Sequence, residues 1–298
     1  MNPAHAEIRE KFNYQTAYQR NLGLISVEEQ EKIRRTCAAV AGLGGIGGAH
    51  ALALARLGFG SFILADADAY DWSNLNRQFG ATVGNIGKKK IEAMRDVILS
   101  INPTAQIKLI PRGLEPSTID AFLEGADLIL DGLDFNCFDE RFLLYAKARE
   151  RGLWVINTAP PGFGSTLLLF DPNGMNFEDY FDFHPGMSRQ ELAFAFSYGI
   201  SPSPLVLKYI HREAFNFSEG TFPCVSPAFF LSAGIAATEA VNLVLGKRPP
   251  EGVPWVYQFD AMRRIYKKAF YPMGMRSPWQ RLRKWFLGRL VKSSRKPS

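Results

Sequence analysis

Short, wholly apolar runs alternate with stretches of helical spacing through the first half of the chain. Ser26 with Glu29 three residues later marks the start of a polar helix running to about Arg35. Residues 37–41, Cys-Ala-Ala-Val-Ala, are too short and too uniformly apolar for an amphipathic helix and predict a buried strand leading into Gly42. A helix over residues 46–57 and a strand over 61–65, ending on Asp66, complete a βαβ unit. The alternation continues with a helix at 88–100, a strand at 106–110, a helix after Pro116, a strand at 127–130, a helix at 139–151 and a strand at 154–157. Strands that are apolar on both faces and separated by helices predict an α/β protein whose sheet is mostly parallel and covered on both sides.

From Ser165 the order changes. Residues 166–170, 255–259 and 264–270 read as strands without intervening crossover helices, which predicts an antiparallel C-terminal extension. Residues 171–221 are rich in Phe, Pro, Gly and Ser with little periodicity and are expected to form a long functional loop region. Its aromatics between Phe177 and Phe222 suit either the lining of a channel for an extended substrate or the packing of the loop itself. The apolar stretch 227–245 has nearly the length of a membrane span. It opens on Ser226-Pro227 and contains Glu239 and Asn242, so a buried helix is the expected reading.

Composition narrows the class. With 298 residues, 47% hydrophobic and 21% charged, the chain can bury a sizeable core. Cys37, Cys137 and Cys224 are too scattered for a disulfide framework and too few for an all-cysteine zinc site. Glu7 and Glu10 interrupt the N-terminus and no secretory signal is read there, so a cytoplasmic location is expected. Eight basic and no acidic residues follow Gly274, so the chain's net charge of +6 becomes about −2 without that tail. The basic character belongs to the tail, and no nucleic-acid-binding core is expected. Within the tail, Trp279, Leu282, Trp285, Phe286 and Leu290 recur at three- and four-residue spacing, the pattern of a basic amphipathic helix. Such a helix suits an anionic membrane surface, an acidic partner, or packing back on the domain. His184 and His211 stand alone and are not read as metal ligands.

The first candidate chemistry is the turn Gly42-Leu43-Gly44-Gly45-Ile46-Gly47 between strand and helix. Glycines there permit a tight turn and let a phosphate approach the helix N-terminal amides, and Asp66 at the end of the next strand is placed to accept from ribose hydroxyls. By itself this pattern serves a nicotinamide dinucleotide as well as ATP. A Walker loop is excluded, because neither Gly87-Lys88 nor Gly246-Lys247 has the required upstream glycine or following hydroxyl residue.

Asp66-Ala-Asp68, then Ser73-Asn74-Leu75-Asn76-Arg77-Gln78, then Gly87-Lys88-Lys89-Lys90 discriminate between the two. Together with the glycine turn and Asp131-Gly-Leu-Asp134, this series resembles the adenylation motif of the ThiF/MoeB/HesA and ubiquitin-activating family, in order from about Arg20 to Leu245. The resemblance implies a Rossmann-like fold with an antiparallel extension, usually dimeric. It also implies ATP-dependent adenylation of a carboxylate, with the acceptor the C-terminus of a small ubiquitin-like protein or a peptide. Residues 1–274 would then form the adenylation domain, with a nucleotide-binding half over about 20–160 and an acceptor-binding half over about 161–274, and 275–298 the tail.

Carried over residue by residue, the resemblance assigns Arg77 and Lys90 to the phosphates, with Lys88 the fallback lysine, and places Asn74 beside them. Asp134 would hold Mg2+, Asp131 would be structural, and Gly42, Gly44, Gly45, Gly47, Asp66, Asp68 and Gln78 would complete the ATP site. Tyr18-Gln-Arg20 resembles the family element whose arginine reaches the triphosphate of the partner subunit, although Asn21 departs from the pattern. Cys224 is the one cysteine near the family's thioester position. It lies closer to the following helix than usual, so a buried thiol and a nucleophile are both open. The family's two Cys-x-x-Cys zinc pairs are missing, so no zinc is expected. Two other readings remain: a catalytically silent nucleotide-binding subunit of a heteromeric enzyme, and an NAD-dependent oxidoreductase.

Overall fold

The computed structural model describes residues 11–211 and 222–293, with side chains up to residue 286. Part of the 171–221 region, the start of the chain and the end of the tail, including Leu290, therefore lie outside the described side chains. A short helix α1 (Tyr14–Tyr18) precedes α2 (Val27–Arg35), β1 (Cys37–Ala41), α3 (Gly45–Leu57) and β2 (Ser61–Ala65). There follow α4 (Lys90–Ile101), β3 (Gln106–Ile110), α5 (Ile119–Leu123), β4 (Leu128–Asp131), α6 (Phe138–Glu150) and β5 (Val155–Ala159). The second half contains β6 (Gly164–Phe170), α7 (Phe177–Phe181), α8 (Arg189–Ile200), α9 (Ser226–Leu245), β7 (Trp255–Asp260), β8 (Ile265–Phe270) and α10 (Pro278–Ser293).

The eight strands form one sheet in the order β3-β2-β1-β4-β5-β6-β7-β8. The first five run parallel, and β6, β7 and β8 pair antiparallel, as the sequence predicts. Alternation along β1 divides the core: Ala38 and Val40 face Ile33, Leu54, Met94 and Ala236, while Ala39 and Ala41 face Phe122, Leu144 and Phe196. The predicted capping box of α2 is present, with Ser26 and Glu29 bonded reciprocally.

Helix α9 lies across α3, β5 and β6. Small residues at Ala228, Ala233, Ala236, Ala237 and Ala240 form its buried side and permit that close approach. Among the described residues it is the one helix long and apolar enough to cross a membrane, and half of that stretch is buried in the protein. Its buried Glu239 is paired with Arg248, and Asn242 accepts from the Arg248 N–H at 2.9 Å.

Residues 171–211 depart from the irregular loop the sequence implies. They contain α7 and α8, the second opened by a Ser188–Glu191 capping box. Helix α8 buries Leu192, Ala193, Ala195, Phe196, Tyr198, Gly199 and Ile200, which occupy nearly every side of it, so no amphipathic period is visible. Phe177, Phe181, Phe183 and Phe196 pack edge and face against one another in the core.

The tail packs back on this region. Met275 is fully buried, Arg276 Nη1 reaches Asp179 at 2.7 Å, and Arg281 and Lys284 both reach Asp182, at 2.6 and 2.9 Å.

His50, on α3, is fully buried and bonds Thr158 Oγ1 of β5 at 2.8 Å. Burial holds its imidazole down to about 4, against a weaker opposing pull from Asp131. A folded pKa below the unfolded one means that full stability is present above about 6.5 and lost as pH falls toward 4. Denaturant unfolding at pH 7 and pH 5 should differ by about 2 kcal/mol through this residue alone. His50→Gln should remove most of that dependence, and an unchanged slope in the variant would exclude His50 as its source.

Candidate active site

The strand order reverses between β1 and β4, and at such a point the loops leaving the carboxyl ends of neighbouring strands turn to opposite faces and open a crevice. Here the loops are the glycine turn after β1 and the Asp131–Asp134 segment after β4. They cross at contact distance. Gly42 has φ +79°, and a Cβ on it would lie 2.6 Å from the Gly132 carbonyl oxygen. A Cβ on Gly47 would lie 1.8 Å from the Gly42 carbonyl oxygen. Glycine is required at both for the turn to close onto α3.

Two cavities open on this crossing. The smaller, about 200 Å³, is lined by Gly42, Gly44, Asp66, Asp68, Lys90 and Leu114 among others. The larger, about 1000 Å³, is lined by Gly45, Arg77, Gln78, Cys224, Phe196 and Phe229 among others. Gly132, Leu133, Asp134, Cys137 and Glu140 line both, so Asp134 stands where the two meet.

In the smaller cavity the Asp66 carboxylate accepts the Leu43 N–H at 2.6 Å and the Asp68 N–H at 2.8 Å, so it ties the glycine turn to the end of β2. Burial pushes its carboxyl up, opposed by those two hydrogen bonds. Of the three consecutive lysines, Lys90 is the one that lines either of these two cavities: it is 5% exposed, with Nζ 2.9 Å from Asp68. Lys88 turns to Asp96 at 2.7 Å and Lys89 to the Ala67 carbonyl at 2.6 Å.

On the other side Arg77 is held by the Ser73 carbonyl at 2.8 Å and Asn76 Oδ1 at 3.0 Å. Gln78 is buried, with Oε1 making no hydrogen bond among the described residues, and its Nε2 lies 3.7 Å from where a Gly44 Cβ would stand. Asn74 is buried in the turn itself, where its Oδ1 accepts the Asp71 N–H at 3.0 Å, and it lines neither cavity. Arg20 is exposed on the turn after α1, also away from both. Its neighbour Asn21 bonds Gln30 and the Leu57 carbonyl.

Cys224 faces the larger cavity, and its carbonyl accepts from Asn76 Nδ2 at 3.1 Å. Burial pushes its thiol up and the Arg77 charge opposes. Cys137, which sequence reasoning passed over as a scattered thiol, lies at the shared wall with its thiol pushed up to about 11 by burial.

Sequence reasoning also missed Arg141. Its buried guanidinium donates to Asp131 Oδ2 at 2.9 Å and to the carbonyls of Leu133, Asp134 and Phe135 at 2.6, 2.8 and 3.2 Å. Asp131 also accepts from the Leu133 N–H at 3.0 Å, Tyr145 at 2.9 Å and Asn157 at 2.8 Å. The structural role expected of Asp131 is therefore evident: it anchors the segment that presents Asp134. No spacing rule finds Arg141, which reaches the segment only because α6 folds back beneath it.

The sequence matches the ThiF family over residues 18–273. It is 35% identical over 190 residues to MoeZ of Mycobacterium tuberculosis, a probable adenylyltransferase/sulfurtransferase, covering 62% of this chain and 47% of that one. It is 32% identical over 246 residues to the tRNA threonylcarbamoyladenosine dehydratase of Haemophilus influenzae, covering 82% of this chain and 90% of that one. The chain spans about half the length of the first curated relatives it matches, MoeZ among them. Among solved structures it resembles E. coli MccB crystallised with ATP, with a TM-score of 0.62 and 19% identity over 88% of this chain and 72% of that one. At that identity the likeness speaks for the fold. A profile match across most of the chain, on a sheet of the same architecture, makes this protein a member of the ThiF family.

Proposed function

We propose that this protein adenylates a carboxylate with ATP and releases pyrophosphate, the acceptor being the C-terminus of a small ubiquitin-like protein or a peptide. The observation that carries this reading is the placement of Asp134 and the glycine turn between a small cavity holding Asp66, Asp68 and Lys90 and a large, partly aromatic one. The small cavity takes the nucleoside, with Asp66 and Lys90 within it, and the large one takes the acceptor tail. An acceptor oxygen attacks the α-phosphorus, the bond to the bridging oxygen of pyrophosphate breaks, and an acyl-adenylate forms. Negative charge grows on the leaving phosphates, and Arg77 and Lys90 are the fixed cations that meet it. Buried Gln78 offers a further polar contact beside the glycine amides.

Among the described residues no group of three or more His, Cys, Asp or Glu side chains could hold a metal by itself. That fits Mg2+, which binds through one or two carboxylates and completes its shell with phosphate oxygens and water. Asp134 would hold the ion, which would neutralise phosphate charge. The relatives' names favour this chemistry: MoeZ and the sulfur carrier protein ThiS adenylyltransferase of E. coli are both named for it. Homodimer formation, with Arg20 serving the partner's site, and a cytoplasmic location belong to the same reading. The extent of the match to the H. influenzae dehydratase favours a second acceptor class, the carboxylate of a modified tRNA nucleoside.

Calorimetry should show ATP with magnesium binding and NAD failing to bind, and the reverse result would overturn the reading. Incubation with ATP and either a small-protein fraction or total tRNA, followed by mass spectrometry, should reveal the adenylated or transferred acceptor. Nucleotide binding without pyrophosphate exchange beside every acceptor would favour the catalytically silent subunit. Cys224→Ser in the same assay separates adenylation from a following thioester, which only the thiol can form.

A further inference from the structure

The two sides of α10 meet different surroundings. Its inward side is fixed to the protein: Gln280 is buried against Tyr198, and Arg281 and Lys284 share the buried Asp182 carboxylate. On the outward side Trp279, Leu282, Trp285 and Phe286 are 65, 45, 47 and 54% exposed. At the angular step of an α-helix these four fall within an arc of roughly 120°, opposite Gln280 and Lys284. Because the inward contacts already seat the helix on its own domain, the outward aromatic stripe is not a core face left half docked. The segment after Gly274 contains eight basic and no acidic residues.

We infer that α10 docks on an anionic lipid surface, its aromatic stripe entering the headgroup region while the basic residues that the sequence concentrates after Gly274 supply the charge that the lipid attracts. Two alternatives fit less well. An acidic protein would be recognised chiefly through cations, which leaves the four exposed apolar side chains of the helix, two of them tryptophans, without a role. A second copy of the chain would bring two such basic tails together, at a cost in repulsion. A stripe containing two tryptophans beside basic residues has the composition of a helix lying in the membrane interface. The contact is independent of the carboxylate chemistry proposed above.

Flotation of the full chain with vesicles tests this. The protein should float with vesicles containing about 30% anionic phospholipid and stay behind with purely zwitterionic ones. Raising salt from about 0.1 M to about 0.5 M should weaken binding severalfold, because screening removes the electrostatic part. The variant Trp279→Ala/Trp285→Ala/Phe286→Ala, in surface positions, should bind at least about tenfold more weakly while its melting temperature and ATP binding stay unchanged. Failure of the wild type to float with anionic vesicles at low salt would overturn the inference, as would equal flotation of the triple variant. Concentration-dependent self-association that the triple variant abolishes, without vesicle binding, would assign the stripe to a second copy instead.

Discussion

Arg77→Ala and Asp134→Ala should each lower acceptor-dependent ATP–pyrophosphate exchange by about 10²- to 10³-fold, the usual cost of deleting one preorganised contact to a developing charge. Arg77 lines the larger cavity and is held by two hydrogen bonds, so its guanidinium is positioned before any substrate arrives. Asp134 lines both cavities. The two losses should differ in kind. Removal of the cation should depress exchange at every magnesium concentration, whereas removal of the carboxylate should raise the magnesium concentration needed for half-maximal exchange. Both variants should keep their unfolding midpoints, since neither side chain is part of the core. Exchange retained within about threefold in either variant would sink the assignment of that residue, being less than the loss of a single neutral hydrogen bond to the transition state.

Arg141→Gln should cost about 3–5 kcal/mol of folding stability, the range for breaking a buried ion pair from one side. The side chains of Arg141 and Asp131 are 4% and 0% exposed and 2.9 Å apart, so the remaining carboxylate would be left charged and buried without its cation. Tyr145 and Asn157 would still donate to it, which favours the lower end of the range. Three carbonyls of the Leu133–Phe135 segment would lose their donor as well. Chemical denaturation followed by circular dichroism measures the loss, and a change below about 1 kcal/mol would show that water replaces the guanidinium freely. Combined with Asp131→Asn, the second substitution should cost less than it does alone, because the unpaired charge is gone.

The parallel half of the sheet was readable because its signals are local. A strand buried on both faces must be apolar along most of its length, so residues 37–41 and 61–65 appear in the sequence at the bounds the structure gives, and the edge strand 106–110, with Gln106 exposed and Lys108 half-buried, keeps its predicted bounds as well. Asn74 and Lys90 show the limit of reading by motif. Both stand in the same series of motifs, yet Lys90 lines the cavity while Asn74 caps its own turn. Helix α8 escaped because it is buried nearly all round, which erases the period by which helices are recognised.

By itself the sequence determined the sheet's parallel and antiparallel parts, the glycine turn and the choice of Arg77, Lys90 and Asp134 as candidates, since each follows from residues close together in the chain. The tertiary structure decided which lysine enters the cavity, that the Gly132 carbonyl leaves no room for a side chain on Gly42, and that Arg141 anchors the segment carrying Asp134. It also decided which side of α10 faces outward. Those outcomes depend on contacts between residues far apart in sequence, where the crossing of two loops or the back of a helix sets a distance that no local pattern encodes.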